Sequence, residues 1–497
     1  MQKSIAKNII YKILLNIFNV ILPILVGPYA YRTLGASSMG KVNFSETIFT
    51  YFFIFAVFGI HQYGLREISA IKDNKKKSEQ LFTSLFILSI FTNLLTFGAY
   101  LLFSYFGYAE KGLFYILLIF GFNFIANIFY VEWLNEAYEN FDFITLKTII
   151  VKLIYVVMLF IFVQTAQDFY QFTGLLVLSN FLNNIISYIY IRRTVKFDFS
   201  NITIKKHLKP LLLIAIFSNA HILYTHLDRF FLGEYVGEKY VSFYVMAFQI
   251  MSIINLLMLS VIQVTLPRLS YLSEGDDETA YDKLLNTISQ LYFITLFPAA
   301  IGIIIVSNLI VVIYGGAQYA AAGPTLAIFS VYMVILGIQS ILGNQIMYIK
   351  RKEHILVRAL LVFGVINIIL KVILLKINLF TPTTATLTTT IATLLLVVYI
   401  YFYIKKSLKV NYHLFTMANF KYLFYSLTFF PISYVVQLYV SGTIPLFLAL
   451  VVTNGLAYTL LLFLTKDEIL FMALSKLTSK FKNLKDVIKR DVPFTFE

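Results

Sequence analysis

The chain has 497 residues, of which 59% are apolar, 17% aromatic and only 13% charged, with a net charge of +15. Soluble domains are about 45–50% apolar and about 25% charged, and disordered chains are richer still in charge, so the composition excludes both classes. It is typical of an integral membrane protein with many spans. The absence of cysteine excludes disulfides, thiolate zinc sites and cysteine nucleophiles.

Taking about 20 apolar residues as one crossing, the sequence predicts fourteen membrane spans. The first, Asn8 to Tyr31, is too long for the apolar core of a signal peptide and lacks its cleavage site, so we interpret it as a span. The predicted spans are 8–31, 42–65, 80–104, 112–133, 144–164, 170–191, 208–231, 240–263, 283–307, 321–348, 355–376, 383–404, 420–440 and 444–465. No predicted connection is large enough to hold a catalytic domain.

The basic residues of the connections indicate the orientation. Thirty of the 40 Lys and Arg residues lie on the side of the two termini, five lie on the opposite side and five lie within spans. Because short loops rich in Lys and Arg stay in the cytoplasm, we expect both termini there. Most of the positive charge is thereby explained by topology, and we expect no nucleic-acid partner.

The first and second halves of the chain share a weak internal repeat. Arg32, Leu34-Gly35, Gly40-Lys41, Val42 and Phe44 follow the first span, and Arg229, Leu232-Gly233, Gly237, Lys239, Val241 and Phe243 follow the seventh. Both segments lie on the same predicted side, so the repeat is parallel. We therefore expect an N-lobe (1–206, spans 1–6), a C-lobe (207–409, spans 7–12), two added spans (410–465) and a basic amphipathic tail (466–497). The tail is predicted to lie on the inner leaflet, with a partner-binding helix as the alternative.

Polar residues recur on one face of the first and seventh spans. A charged group at the centre of a bilayer costs about 2.5–3.5 kcal/mol on the insertion scale, so such residues usually face a cavity or a partner. The residues predicted to line a substrate cavity are Lys12, Asn16, Asn19, Arg32, Glu46, Arg66, His221, Thr225, His226, Asp228 and Arg229. Pro23, Gly27 and Pro28 interrupt the first span and predict a kinked gate, because a proline removes a backbone hydrogen bond.

Structural roles compete with this interpretation at several positions. Lys12, Lys147 and Lys371 lie close to span ends, where a long side chain can reach the interface, and we favour that role for Lys147 and Lys371. Asp228 and Arg229 could form a local ion pair, and His221 could be a hydrogen-bonded core histidine. A static kink is the alternative to the gate.

An ordered set of short motifs resembles the polysaccharide-export flippases of the multidrug/oligosaccharidyl-lipid/polysaccharide superfamily. The residues that carry the resemblance are Pro28 to Gly40, Gly59 with Gly64-Leu-Arg66-Glu67, Asp228-Arg229-Phe-Phe-Leu232-Gly233, Leu266-Pro267-Arg268 and Tyr314-Gly315-Gly316 before Tyr319. The resemblance covers nearly the whole chain. It implies an all-α polytopic membrane protein of 14 transmembrane helices, with two pseudo-symmetric six-helix lobes plus two C-terminal helices and a cavity between the lobes.

The resemblance further implies translocation of undecaprenyl-diphosphate-linked oligosaccharide repeat units from the inner to the outer leaflet, for surface polysaccharide such as capsule or O-antigen. We expect no enzymatic activity, cofactor or metal; besides the lipid bilayer, a polysaccharide polymerase and glycosyltransferases are candidate partners. The cationic Lys12, Arg32, Arg66 and Arg229 are candidates to attract the diphosphate. The alternatives are a cation-coupled multidrug exporter of the same superfamily and a membrane polysaccharide polymerase or glycosyltransferase.

Overall fold

The computed structural model describes residues 5–219, 222–274, 278–408, 410–472 and 475. Its regular structure in this part of the chain is helical. The helices of the first half are α1 (Ile5–Val57), α2 (Ile60–Ile71), α3 (Lys75–Tyr108), α4 (Phe114–Ile128), α5 (Glu132–Ala137), α6 (Phe141–Phe162), α7 (Phe169–Ile191), α8 (Ile204–Asn219) and α9 (Ile222–Tyr235). The expected all-α class is confirmed for the described residues.

The second half continues with longer helices. They are α10 (Glu238–Glu274), α11 (Glu278–Gly315), a short 3-10 helix (Ala317–Ala322), α12 (Gly323–Ser340), a π-helical segment (Ile341–Tyr348), α13 (Glu353–Lys376), α14 (Pro382–Tyr403), a second π-helical segment (Ile404–Leu408), α15 (Met417–Leu427), α16 (Phe429–Tyr439) and α17 (Thr443–Leu464). The predicted amphipathic tail falls almost entirely outside the described residues.

Eleven helical stretches of the described chain are long and apolar enough to cross a membrane. One of them, Lys7–Ile71, holds the first two predicted spans. The predicted seventh span contains residues 220–221, which lie outside the described part of the chain, and the thirteenth is divided between α15 and α16. The count of fourteen crossings therefore stays a prediction.

The helices keep many large apolar side chains exposed. On α17, for example, Leu448, Val452, Leu456, Leu460 and Leu464 are all more than half exposed. A soluble protein rarely leaves such a continuous apolar surface in water, whereas lipid tails cover it at no cost. The outer surface of the helices thus supports the membrane assignment.

Contacts group the chain into two units. The first comprises Met1–Gln249, Val311–Thr325 and Leu360–Ala392, and the second comprises Ile250–Ile310, Leu326–Ala359 and Thr393–Glu497. Within the first unit, α1 packs on α3, α4 and α6, and α4 and α6 both pack on α7. Within the second, α17 packs on α15 and α16. The division of the sequence into lobes stays a prediction.

Candidate functional site

A cavity of about 270 Å³ lies within the first unit. Both arms of α1 contribute to it, together with α6, α7 and α10. Its walls are formed by Leu22, Pro23, Val26, Gly27, Ala30, Tyr31, Met39, Val42, Asn43, Glu46, Tyr155, Phe172, Leu176, Val245 and Gln249. The lining is mainly apolar with a few polar groups, which is the usual composition of a small-molecule site.

The bend that brings the two arms of α1 to one cavity is at Gly35. Its φ of 72° and ψ of 173° are the non-helical backbone angles inside α1, and a side chain is strained in this conformation. The side chain of Gln318 lies against Gly35 and accepts a hydrogen bond from the backbone nitrogen of Ala36 at 3.3 Å. The amide of Gln318 therefore satisfies a donor that the bend releases from the helix ladder.

Glu46 lies on the second arm of α1 and faces the cavity. Its side chain is exposed, and its carboxylate forms no hydrogen bond or ion pair with the described residues. Nearby, Asn43 is buried, and its Nδ2 has no hydrogen-bond partner in this part of the chain. The hydroxyl of Tyr31 donates to Oε1 of Gln249 at 3.4 Å. The cavity wall thus presents an unpaired carboxylate together with the polar side chains of Tyr31, Asn43 and Gln249.

Arg229 lies beside this polar wall without lining it. Its guanidinium carbon is 5.3 Å from the ring centroid of Phe248, and its Nε is buried without a hydrogen-bond partner among the described residues. Phe248 adjoins Gln249 of the cavity wall, and no ion pair within 4 Å joins Arg229 to Glu46. Arg229 is consequently a source of positive potential near the cavity.

Asp228 pairs with Lys371 and not with the adjacent Arg229. Lys371 Nζ lies 2.7 Å from Asp228 Oδ1, and both side chains are 0% exposed. The hydroxyls of Tyr244 and Thr389 donate to Asp228 Oδ2 at 2.6 and 2.8 Å. The expectation that Lys371 reaches the interface is wrong, because a buried carboxylate on α9 holds its ammonium inside the protein. The local pair of Asp228 with Arg229 is not formed either.

Lys147 is buried in the same way. Its Nζ lies 3.1 Å from both carboxylate oxygens of Glu132 and 2.7 Å from the hydroxyl of Ser187, and its side chain is 2% exposed. Ser187 also donates to Glu132 at 2.5 Å. The network joins α5, α6 and α7, and it overturns the interfacial role favoured for Lys147.

Most of the predicted cavity residues lie elsewhere. Among those that the structure describes, Glu46 alone lines the cavity. Lys12 and Asn16 are exposed, with Lys12 Nζ 5.7 Å from the ring centroid of Phe141. Asn19 is exposed and accepts a hydrogen bond from Lys152 at 2.7 Å.

The two arginines at the predicted span ends have local partners. Arg32 donates to the backbone carbonyls of Val312 and Ile313 at 3.4 and 2.5 Å, where α11 ends. Because the last carbonyls of a helix lack intrahelical donors, Arg32 caps this helix. Arg66 is exposed and pairs with its neighbour Glu67 at 2.8 Å.

Thr225 and His226 lie on α9, on the turn that precedes Asp228. Thr225 is buried and His226 is half-buried. The structure does not place either residue in the cavity wall. His221 lies outside the described residues. Of the polar residues predicted on the seventh span, Asp228 therefore belongs to a buried network, and Thr225 and His226 do not line the cavity.

The residues predicted to gate the first span lie inside a continuous helix. Pro23 and Gly27 line the cavity, but α1 passes through both Pro23 and Pro28 and breaks only at Gly35. Gly27 leaves room for the ring of Tyr314, whose hydroxyl donates to the carbonyl of Pro23 at 3.0 Å. The kinked gate at Pro23 to Pro28 stays a prediction, and the positive φ at Gly35 lies in the predicted connection between the first two spans.

Two glycines of the internal repeat bring the matching segments into contact. A Cβ on Gly40 would meet the backbone of Glu238, and a Cβ on Gly233 would meet the ring of Phe44. Ser242 also donates a hydrogen bond to the carbonyl of Ala36 at 2.9 Å. We use the name glycine seam for Gly40, Gly233 and the groups that these two glycines contact. By the predicted topology, it lies at the outer end of the helices.

Sequence reasoning missed most of the cavity lining. Tyr31 and Asn43 are contributed by the two arms of α1, and Tyr155 and Gln249 by α6 and α10. Asn43 precedes Glu46 by about one helical turn, and this spacing was the sequence pattern that could have predicted Asn43 beside Glu46. The contribution of Tyr155 depends on tertiary packing and leaves no local pattern.

The chain is similar in sequence to a known protein family and to two transporters. A family model described as polysaccharide biosynthesis protein matches residues 5–273. A proposed O-antigen transporter of Escherichia coli (strain K12) is 28% identical over 169 residues, which cover 33% of this chain and 40% of the relative. A proposed O-antigen transporter of Shigella dysenteriae is 24% identical over 373 residues, which cover 73% of this chain and 91% of the relative.

A solved structure has the same fold. The lipid II flippase MurJ in its inward closed conformation superposes with a TM-score of 0.70, over 93% of this chain and 100% of that one. The sequences are only 18% identical, so this likeness concerns the fold.

Proposed function

Since the chain belongs to the polysaccharide biosynthesis protein family, we propose that it is a flippase for diphosphate-linked oligosaccharide lipids. The observation that carries the proposal is the cavity, where Glu46 presents a carboxylate that has no hydrogen bond or ion pair within the described chain. The names of the two O-antigen transporters and of the lipid II flippase support the same class of cargo.

Translocation of a glycan needs a polar path. Moving one hydroxyl from water into a medium that cannot form hydrogen bonds costs about 4–8 kcal/mol, so a head group of several sugars does not cross a bilayer unaided. A cavity with polar groups in its wall offsets this cost, while the lipid tail stays in the membrane. Alternating access would then expose the cavity to each side in turn.

The charge of the cargo supplies a driving force. If the diphosphate carries about two negative charges, outward movement across an inside-negative membrane gains roughly 4.6 kcal/mol per 100 mV. Arg229 is a described cation beside the cavity wall, and it would attract the diphosphate. The membrane potential is sufficient to favour export without a coupling ion.

The two alternative functions have less support. Cation-coupled exporters of this superfamily typically have twelve spans, so the two added spans predicted over residues 410–465 argue against that function. A polymerase or glycosyltransferase needs a sizeable loop for its catalytic groups. Within the first unit, the longest described connection between helices covers only residues 192–203.

Purified protein in proteoliposomes provides the direct test. A fluorescent undecaprenyl-diphosphate-linked glycan is placed in both leaflets, and a membrane-impermeant quencher measures the fraction that exchanges to the outside. We expect faster exchange than in empty vesicles, slower exchange for Arg229→Ala, and wild-type exchange for Gly98→Ala, where an added Cβ meets open space. Exchange no faster than in empty vesicles, together with unchanged surface polysaccharide in a deletion strain, would refute the proposal.

A further inference from the structure

Glu46 is the one charged residue among those that line the described cavity. Its carboxylate reaches open space but has no hydrogen bond or ion pair with the described residues. An unpaired carboxylate within a membrane protein is costly, and such groups usually mark the path of a substrate. We therefore consider which group of a substrate could form hydrogen bonds with the Glu46 carboxylate.

The groups around Glu46 are suited to a sugar ring. Carboxylate oxygens accept hydrogen bonds from hydroxyls, and the amide nitrogen of Gln249, which also lines the cavity, can donate to a hydroxyl or ring oxygen. The aromatic rings of Tyr155 and Phe172 also line the cavity and offer flat apolar surfaces to the C–H face of a pyranose. Donor, acceptor and aromatic surface are thus present in one wall.

The cavity is large enough to hold a sugar ring. Its volume is about 270 Å³, well above the roughly 10–15 Å³ that a single water requires. At least one residue of the repeat unit can therefore contact its wall.

The charge of Glu46 restricts the kind of sugar. A uronic acid in this space would bring a second carboxylate next to Glu46, and like charges held together out of water cost several kcal/mol. Arg229 forms no ion pair with Glu46 to offset this cost. A neutral sugar avoids the repulsion and satisfies both polar groups.

We propose that Glu46 is a specificity-determining residue that accepts a neutral, hydroxyl-rich sugar into the cavity and disfavours an acidic one. The inference rests on the proposed flippase function. It adds the charge class of the sugar and the residue that selects it.

The experiment compares two lipids that differ at one carbon. Undecaprenyl-diphosphate-linked glucose and glucuronic acid are tested in proteoliposomes with wild type, Glu46→Gln and the control Glu274→Gln. Glu274 is exposed, pairs with Arg351 and is not one of the residues that line the cavity. We expect the neutral lipid to exchange at least about tenfold faster in wild type, since a tenfold ratio corresponds to only about 1.4 kcal/mol.

Glu46→Gln should reduce this ratio to less than about twofold by raising the rate of the acidic lipid. Glu274→Gln should keep the wild-type ratio. A wild-type ratio near one, or an equal ratio in wild type and Glu46→Gln, would overturn the inference.

Equilibrium binding separates this inference from the flippase function. Radiolabelled methyl glucoside and methyl glucuronide are titrated against detergent-purified protein. If neither lipid exchanges between leaflets but the glucoside binds and Glu46→Gln removes the preference, the sugar site stands and translocation fails. If exchange occurs but neither binding nor exchange depends on Glu46, the sugar site fails and translocation stands. If there is neither exchange nor binding, both are refuted.

Discussion

Lys371 and Asp228 form an ion pair that water does not reach, since both side chains are 0% exposed. Burying two charges is costly, and the attraction between them repays that cost only when the remaining hydrogen-bonding groups are satisfied. Tyr244 and Thr389 donate to the same carboxylate, and Lys371 donates to the carbonyl of Tyr224 at 3.4 Å. The network ties α9, α10, α13 and α14 together within the first unit.

Replacing Lys371 with Met should destabilise the protein by about 3–5 kcal/mol, because it leaves a buried carboxylate without a counter-charge. The double variant Lys371→Met with Asp228→Asn should recover most of the loss, since an amide still accepts from Tyr244 and Thr389. Thermal unfolding in detergent measures the stability of the single and the double variant.

Lys376→Met, at the exposed end of α13, is the matched control and should unfold like wild type. Equal stability of Lys371→Met and Lys376→Met would show that the pair contributes nothing to the fold.

Lys147 and Lys371 also show what a single sequence does not predict. Both lie near predicted span ends, where the general rule favours an interfacial side chain. The rule fails here because Glu132 and Asp228, on other helices, meet the two ammonium groups inside the protein. The partners of a buried charge depend on tertiary packing, which hydropathy and helical period do not encode.

At the scale of the element, the sequence predicts where most of the membrane-spanning helices lie along the chain. Apolar segments of the right length predicted most of the spans, because the bilayer imposes that length. The turn between the first two spans was expected in the segment that contains Gly35, and the non-helical angles of α1 are at Gly35. A proline within a packed membrane helix can be accommodated by its neighbours, whereas a positive φ requires the chain to turn.

The glycine seam predicts how the outer end of the cavity closes. A Cβ on Gly40 would meet backbone atoms of Glu238, so no change of rotamer can relieve the contact. Gly40→Val should therefore separate α1 from α10 and open the cavity to the outside.

The chain has no cysteine, so Gln249→Cys in the cavity wall provides a clean reporter. Labelling by a membrane-impermeant maleimide should rise severalfold when Gly40→Val is added, and should not rise with Gly98→Val, where an added Cβ meets nothing within 4 Å. Equal labelling with the two valines would mean that the seam does not close the cavity.

The connection before α7 predicts a local pH dependence. Asp168 Oδ2 accepts hydrogen bonds from the backbone nitrogens of Gln164 and Thr165 at 3.0 and 2.7 Å, and these bonds lower the pKa of the Asp168 carboxyl. Because the pKa in the folded protein is depressed, the stabilisation is present above the unfolded pKa and is lost as the pH falls through the folded value.

Hydrogen exchange at Gln164 and Thr165 measures this effect. At pH 6 the wild type should protect both amides more than Asp168→Ala does, and the difference should vanish in strong acid. A difference that persists unchanged to strong acid would indicate that the carboxylate charge is not what orders the connection.

At the scale of the whole molecule, the topology determines what the cavity can do. The excess of basic residues on one predicted side predicts that both termini are cytoplasmic, and the same topology predicts that the glycine seam faces the opposite side. The segment that tests the count of crossings most sharply is α15 with α16, because each helix is too short to span a bilayer alone. Together, end to end, they are long enough.

Single cysteines on either side of α15 and α16 decide whether the pair crosses. We expect a membrane-impermeant maleimide to label Ser441→Cys in intact cells, like the outer control Glu110→Cys, because an even number of crossings separates these two positions. His413→Cys should be labelled only after the cells are permeabilised. All three positions are exposed, so access to the reagent is limited by the membrane and not by packing. If Ser441→Cys requires permeabilisation as His413→Cys does, α15 and α16 do not cross, and α17 begins in the cytoplasm.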